Sequence, residues 1–142
     1  MPFTLRNLKQ DLEDLGSRFD GAPDLEFRSA TQALELEKSA LSYQRVPPGY
    51  RFPYGHTHKK QEEVYVVVRG GGRMKLDDEI VEVKEWDAVR VPPGVWRGYE
   101  AGRGLLAGSP VKVAVAFLGL AIAATLMAAF SRRGLASAER AG

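Results

Sequence analysis

Gly55-His56-Thr57-His58-Lys59-Lys60-Gln61-Glu62-Glu63-Val64-Tyr65-Val66-Val67-Val68-Arg69-Gly70 is the stretch whose reading decides the fold. Its second half, 63–69, is β-branched and aromatic, lacks Gly and Pro, and runs into Gly70-Gly71-Gly72. That composition predicts a strand ended by a glycine break. Alternate residues of an extended chain share a face, so Glu63, Tyr65 and Val67 point one way. His56 and His58 likewise share a face if their segment is extended.

Outward from this strand the chain reads as short runs between breakers. Upstream, strands are expected at 25–31 and 39–46, the latter ended by Pro47-Pro48-Gly49. Downstream they are expected at 73–76, 79–84, 88–91 and 95–100, with turns at Asp77-Asp78 and Pro92-Pro93-Gly94. No helical periodicity interrupts residues 25–100, which excludes βαβ winding and predicts an all-β sandwich or barrel.

The chain has 142 residues, two histidines and no cysteine. Thiolate zinc sites, disulfides and cysteine nucleophiles are therefore excluded, and any imidazole chemistry belongs to His56 and His58. With Glu63 entering from the next strand, two nitrogens and one oxygen would face one ion. This is the facial set of non-haem iron, and imidazole also suits Zn, Ni and Cu. An isolated H-x-H is more often a solvated turn than a ligand pair, and Glu62 is the alternative carboxylate. Trp86, Trp96 and Tyr99 read as core or pocket lining, Lys59-Lys60 as a solvated loop. Asp77-Asp78 is a turn rather than an acid/base pair. Gly70-Gly71-Gly72 has no following helix and no Lys-Ser/Thr, so it is not a phosphate loop.

The histidine segment resembles the first motif of the cupin family, G-x5-H-x-H-x4-E-x6-G. Here His56-Thr57-His58 is followed at the family spacing by Glu63 and Gly70, while Gly49 stands one place too far upstream. The second motif, G-x5-P-x-G-x2-H-x3-N, is half present. Pro92-Pro93-Gly94 is there, Trp86 stands at the first glycine, Arg97 at the histidine and Ala101 at the asparagine. The resemblance covers about 25–100. It implies a double-stranded β-helix, the small cupin jelly-roll barrel. It also implies one divalent transition metal (Fe, Mn, Ni, Zn or Cu) on His56, His58 and Glu63. Arg97 has no lone pair for a metal; it could instead grip an anionic substrate. Tyr65, on the face of Glu63, is the other substrate-binding candidate.

The two ends look different. Leu5, Leu8, Leu12 and Leu15 form an amphipathic stripe stopped by Gly16, predicting a short N-terminal helix. Residues 113–130 are uncharged and alanine-rich and precede Arg132-Arg133. As a helix they would span roughly 27 Å, near a bilayer's hydrocarbon thickness. A membrane anchor, a helix buried in a homodimer and a tail unrelated to the family are the three readings. The expected organisation is a helix and turn at 1–24, the barrel at 25–110, a hydrophobic C-terminal helix at 111–131 and a basic tail at 132–142.

Net charge is +2, with the cationic excess confined to residues 101–142. No basic patch with interleaved aromatics is present, so no nucleic-acid partner is expected. The N-terminus has no apolar signal region, which predicts a cytoplasmic domain, membrane-anchored or soluble. A homodimer is expected. Functionally, the reading is a metal site that binds or converts a small, anionic molecule, with isomerase or dioxygenase chemistry as candidates. The alternative is a non-catalytic sensing module with a vestigial metal site.

Overall fold

The computed structural model describes residues 2–19, 24–52, 55–102 and 111–118. Eight strands are present among them: β1 Glu26–Ser29, β2 Ser39–Val46, β3 Glu62–Arg69, β4 Gly71–Leu76, β5 Glu79–Lys84, β6 Ala88–Val91, β7 Arg97–Ala101 and β8 Val111–Leu118. They form a five-stranded sheet, β1-β2-β8-β3-β6, and a three-stranded sheet, β5-β4-β7. Every ladder is antiparallel.

The alternation expected for β3 is what places the core. Glu63, Tyr65 and Val67 are buried while Val64, Val66 and Val68 are only partly so. Tyr65, Val67, Val46 and Val91 from the larger sheet meet Met74 and Ala101 from the smaller one. The interior therefore lies between the two sheets. An aromatic chain runs through it, with ring centroids 5.0 Å apart for Phe19–Phe27, 5.2 Å for Phe52–Tyr99 and 6.3 Å for Tyr65–Tyr99.

Both expected helices need correction. Among the described residues there is no α-helix, only a 3-10 turn at Gly16–Arg18. In the N-terminal stripe Leu12 and Leu15 are buried, but Leu5 is 79% exposed. Local side chains take the backbone donors that a helix would use. The Asn7 Oδ1 accepts from the N–H groups of Lys9 and Gln10, and Asp11 Oδ2 accepts from the Asn7 N–H. Asn and Asp compete with helices in this way. The segment instead lies along β1: the Leu15 N–H donates to Phe27 O at 2.7 Å, and Arg28 donates to Leu12 O.

The C-terminal correction is larger. Residues 111–118, expected to begin a helix, form β8 in the middle of the five-stranded sheet. It pairs along all eight residues with β2 and along most of its length with β3. Between two strands whose backbone groups need partners, ladder formation overrides the helix preference of alanine. The barrel therefore extends past 110 to at least 118. Residues 119–130 of the expected helix lie outside the described residues. Among the described residues no helix is long and apolar enough to cross a membrane.

Candidate metal centre

His56 and His58 sit on the extended segment before β3. His56 makes a two-way backbone bridge with Arg97, each N–H donating to the other's carbonyl at 2.9 Å. His58 O accepts from the Gly94 N–H at 2.8 Å. Gly94 has φ +87°, a left-handed value that the Pro92-Pro93-Gly94 turn needs and glycine adopts without strain. Thr57 is exposed whereas His58 is buried, so the segment alternates as an extended chain does.

Trp96 seals this bridge from outside. A Cβ at Gly55 would overlap its ring, so only glycine lets the ring lie against the backbone just before His56. Asp77 fixes the Trp96 backbone in turn: Asp77 Oδ1 accepts from the Trp96 N–H, and the Asp77 N–H donates to Trp96 O, both at 2.9 Å. The paired glycines Gly55 and Gly98, flanking a histidine and an arginine, are the sequence signal for this support, and sequence reasoning missed it. Trp86, expected in core or pocket, is 70% exposed and has φ +69°. It occupies a left-handed turn where the family motif has glycine.

Inside, Glu63 is the hub. Its side chain is 0% exposed. His58 Nε2 lies 2.9 Å and His56 Nε2 3.4 Å from the same oxygen, Oε1. On the other oxygen, Oε2, the Tyr65 hydroxyl donates at 2.9 Å and the Arg97 Nε–H donates as an ion pair. Burial pushes the Glu63 carboxyl up, but hydrogen bonds from His56, His58 and Arg97 outweigh it and hold the group well below the usual carboxylate range. Burial first, and then the Glu63 charge, push the Tyr65 phenol well above its usual value, so it stays a neutral donor. Glu62 points away and pairs with Arg90 at 2.6 Å.

Arg97 lies where the family motif has its last histidine, and it is 1% exposed. Its Nη1 donates to Val95 O at 2.7 Å, and its Nη2 is buried with no acceptor among the described residues. Four residues named from sequence thus meet around the carboxylate of a fifth, Glu63.

The donor set suits a transition metal. One ligand atom from each of His56, His58 and Glu63 lies within 4.8 Å of the others. Ligands of one such ion sit within about 4 Å of one another, and His56, with a partly exposed side chain, has freedom to close the difference. The two imidazoles already converge on a single oxygen.

Residues 42–104 match the family model for the cupin domain. The chain carries a cupin domain. A 56-residue stretch is 39% identical to an uncharacterized protein of Methanocaldococcus jannaschii, covering 39% of this chain and 44% of that protein. The chain thus spans less than half the length of this curated relative. Among solved structures, a cupin protein from Bacteroides fragilis superposes with TM-score 0.66 at 21% identity, covering 84% of this chain and 86% of that one. A predicted oxalate decarboxylase from Thermotoga maritima superposes with TM-score 0.65 at 17% identity, covering 82% of this chain and 100% of that one. At these identities the likeness is one of cupin fold.

Proposed function

We propose that this cupin holds one divalent transition metal on His56, His58 and Glu63, and with it binds or converts a small anionic molecule. The observation that carries the reading is the convergence of both imidazole Nε2 atoms on Glu63 Oε1, inside a barrel that buries the carboxylate. A bound divalent ion would supply Lewis acidity and a place for a small ligand's oxygen. The chain's own residues do the rest. Tyr65 and Arg97 hold Oε2, which leaves Oε1 as the oxygen presented to the histidines. Arg97 adds a fixed cation beside the ligand position, and a carboxylate matches its planar fork. The likeness to a predicted oxalate decarboxylase agrees with a small carboxylate as the ligand class.

A second reading has its own observation. Arg97 is ion-paired with Glu63 inside the barrel, as it would be in a ligand-binding module whose metal site is vestigial. Elemental analysis of untagged protein separates the two. The metal reading expects about one Ni, Fe, Mn, Zn or Cu per chain, lost in the double variant His56→Ala/His58→Ala. Wild-type protein that carries none after exposure to each metal would sink it.

A further inference from the structure

Resting on that metal reading, we infer that Arg97 couples the two ligands of the site: metal and a small carboxylate bind cooperatively, each raising the affinity for the other. Glu63 is the partner both cations need. Arg97 holds Oε2 through its Nε–H, and the two histidines address Oε1. Without metal, the Glu63 and Arg97 charges cancel inside the barrel. A guanidinium cannot shed its proton, so a divalent ion arriving at Oε1 adds positive charge beside a cation that stays. Buried charge without a counter-charge is costly. Arg97 therefore weakens metal binding by itself.

An anion removes that penalty, and the arrangement offers it two partners. One is the ion. The other is Arg97 Nη2, the buried donor that no acceptor among the described residues satisfies. A carboxylate has two oxygens for these two partners and can lie in the guanidinium plane, where the N–H groups point. Glu63 and Arg97 are buried and His56 is the partly exposed member of the cluster, so the ligand enters from the His56 side. Coupling of this kind is reciprocal: whatever factor the anion adds to metal affinity, the metal adds to anion affinity.

The test is calorimetric titration of Ni2+ into the untagged full chain, in sodium chloride and in sodium formate at equal ionic strength. Formate should tighten Ni2+ binding roughly fivefold or more, the lower end of typical couplings. Arg97→Met should bind Ni2+ more tightly than wild type in chloride and should lose the formate effect. Arg97→His, which supplies a ligand in place of the cation, should bind Ni2+ more tightly still and also lose the formate effect, and it serves if the methionine variant does not fold. Equal Ni2+ affinity in the two salts overturns the coupling and leaves the metal reading standing. A formate effect that survives in both variants assigns the anion to the metal alone and overturns the role of Arg97. No Ni2+ binding in either salt overturns the metal reading itself.

Discussion

Two buried glutamates in this barrel are surrounded by cationic partners, and they are built for different ends. Glu26, on β1, is buried and pairs with Lys9, Arg28 at 2.7 Å and Arg45 at 3.1 Å. Its neighbours are permanent cations on stems that reach the surface, and they serve to tie the N-terminal segment and β2 to the sheet edge. Among the described residues Glu63 has one permanent cation, Arg97, and two imidazoles that share a single oxygen. Its ring of partners is sealed from solvent except at His56. Charge saturation makes the first cluster a stitch. Convergent ligand geometry makes the second the candidate site. A buried carboxylate is thus read by the kind and direction of its partners, not by burial alone.

Removing each carboxylate tests the contrast most strongly. Glu63→Gln leaves Arg97 buried without its counter-charge, which should destabilise the fold by about 3–5 kcal/mol in urea unfolding and abolish Ni2+ binding. Glu26→Gln should cost less, about 1–2 kcal/mol, because Lys9 and Arg45 are part-exposed and screened, and it should leave Ni2+ binding intact. Equal costs would erase the distinction between stitch and site.

Metal addition sharpens it. A ligand that binds only the folded chain, at a hundredfold excess over its dissociation constant, adds about 2.7 kcal/mol of stability. Ni2+ should raise the melting temperature of wild type and of Glu26→Gln alike, and leave that of Glu63→Gln unmoved. A rise in the Glu63 variant would mean that the ion sits elsewhere.

Acid separates the clusters next. The Glu26 carboxyl, raised by burial but lowered more by Lys9, Arg28 and Arg45, has its pKa held at about 2, below its usual 4.5. Across that interval the unfolded chain binds more protons than the folded one. The stabilisation is therefore complete above pH 4.5 and is lost as pH falls toward 2. Melting temperatures of Glu26→Gln and wild type should converge over this window, and a constant gap would refute it.

The smallest effects come from arginine-to-lysine changes. At Arg97 the planar group bridges Glu63 Oε2 and the Val95 carbonyl, which lysine cannot copy, so Arg97→Lys should cost about 1 kcal/mol or more by analogy with a lost charged hydrogen bond. Arg45→Lys, at the part-exposed rim, should stay within about 0.5 kcal/mol.

Much of the site was legible before the structure. The H-x-H spacing, the position of Glu63 and the alternation of β3 are local properties, and the chain keeps them. So is the count of short strands: seven were expected in 25–100, and β1 to β7 lie there with shifted ends. Trp86 was misread because an aromatic residue suggests interior, whereas its left-handed backbone holds it in a surface turn. The N-terminal leucine stripe misled for a related reason. Its spacing is helical, yet Asn7, Asp11 and Asp14 offer side-chain acceptors that hold the backbone open.

The sequence by itself determined which faces turn inward, which residues are the candidate metal ligands, and that Arg97 stands where the family motif has a histidine. These follow from the two-residue period of a strand and from the chemistry of each side chain, neither of which needs distant partners. Only the tertiary structure decided that 111–118 is a strand, that it lies between β2 and β3, and that Arg97 turns inward onto Glu63. Each of those depends on pairing across long stretches of chain. Backbone groups of β2 and β3 accept whichever segment satisfies them, and a buried guanidinium goes where its one counter-charge lies.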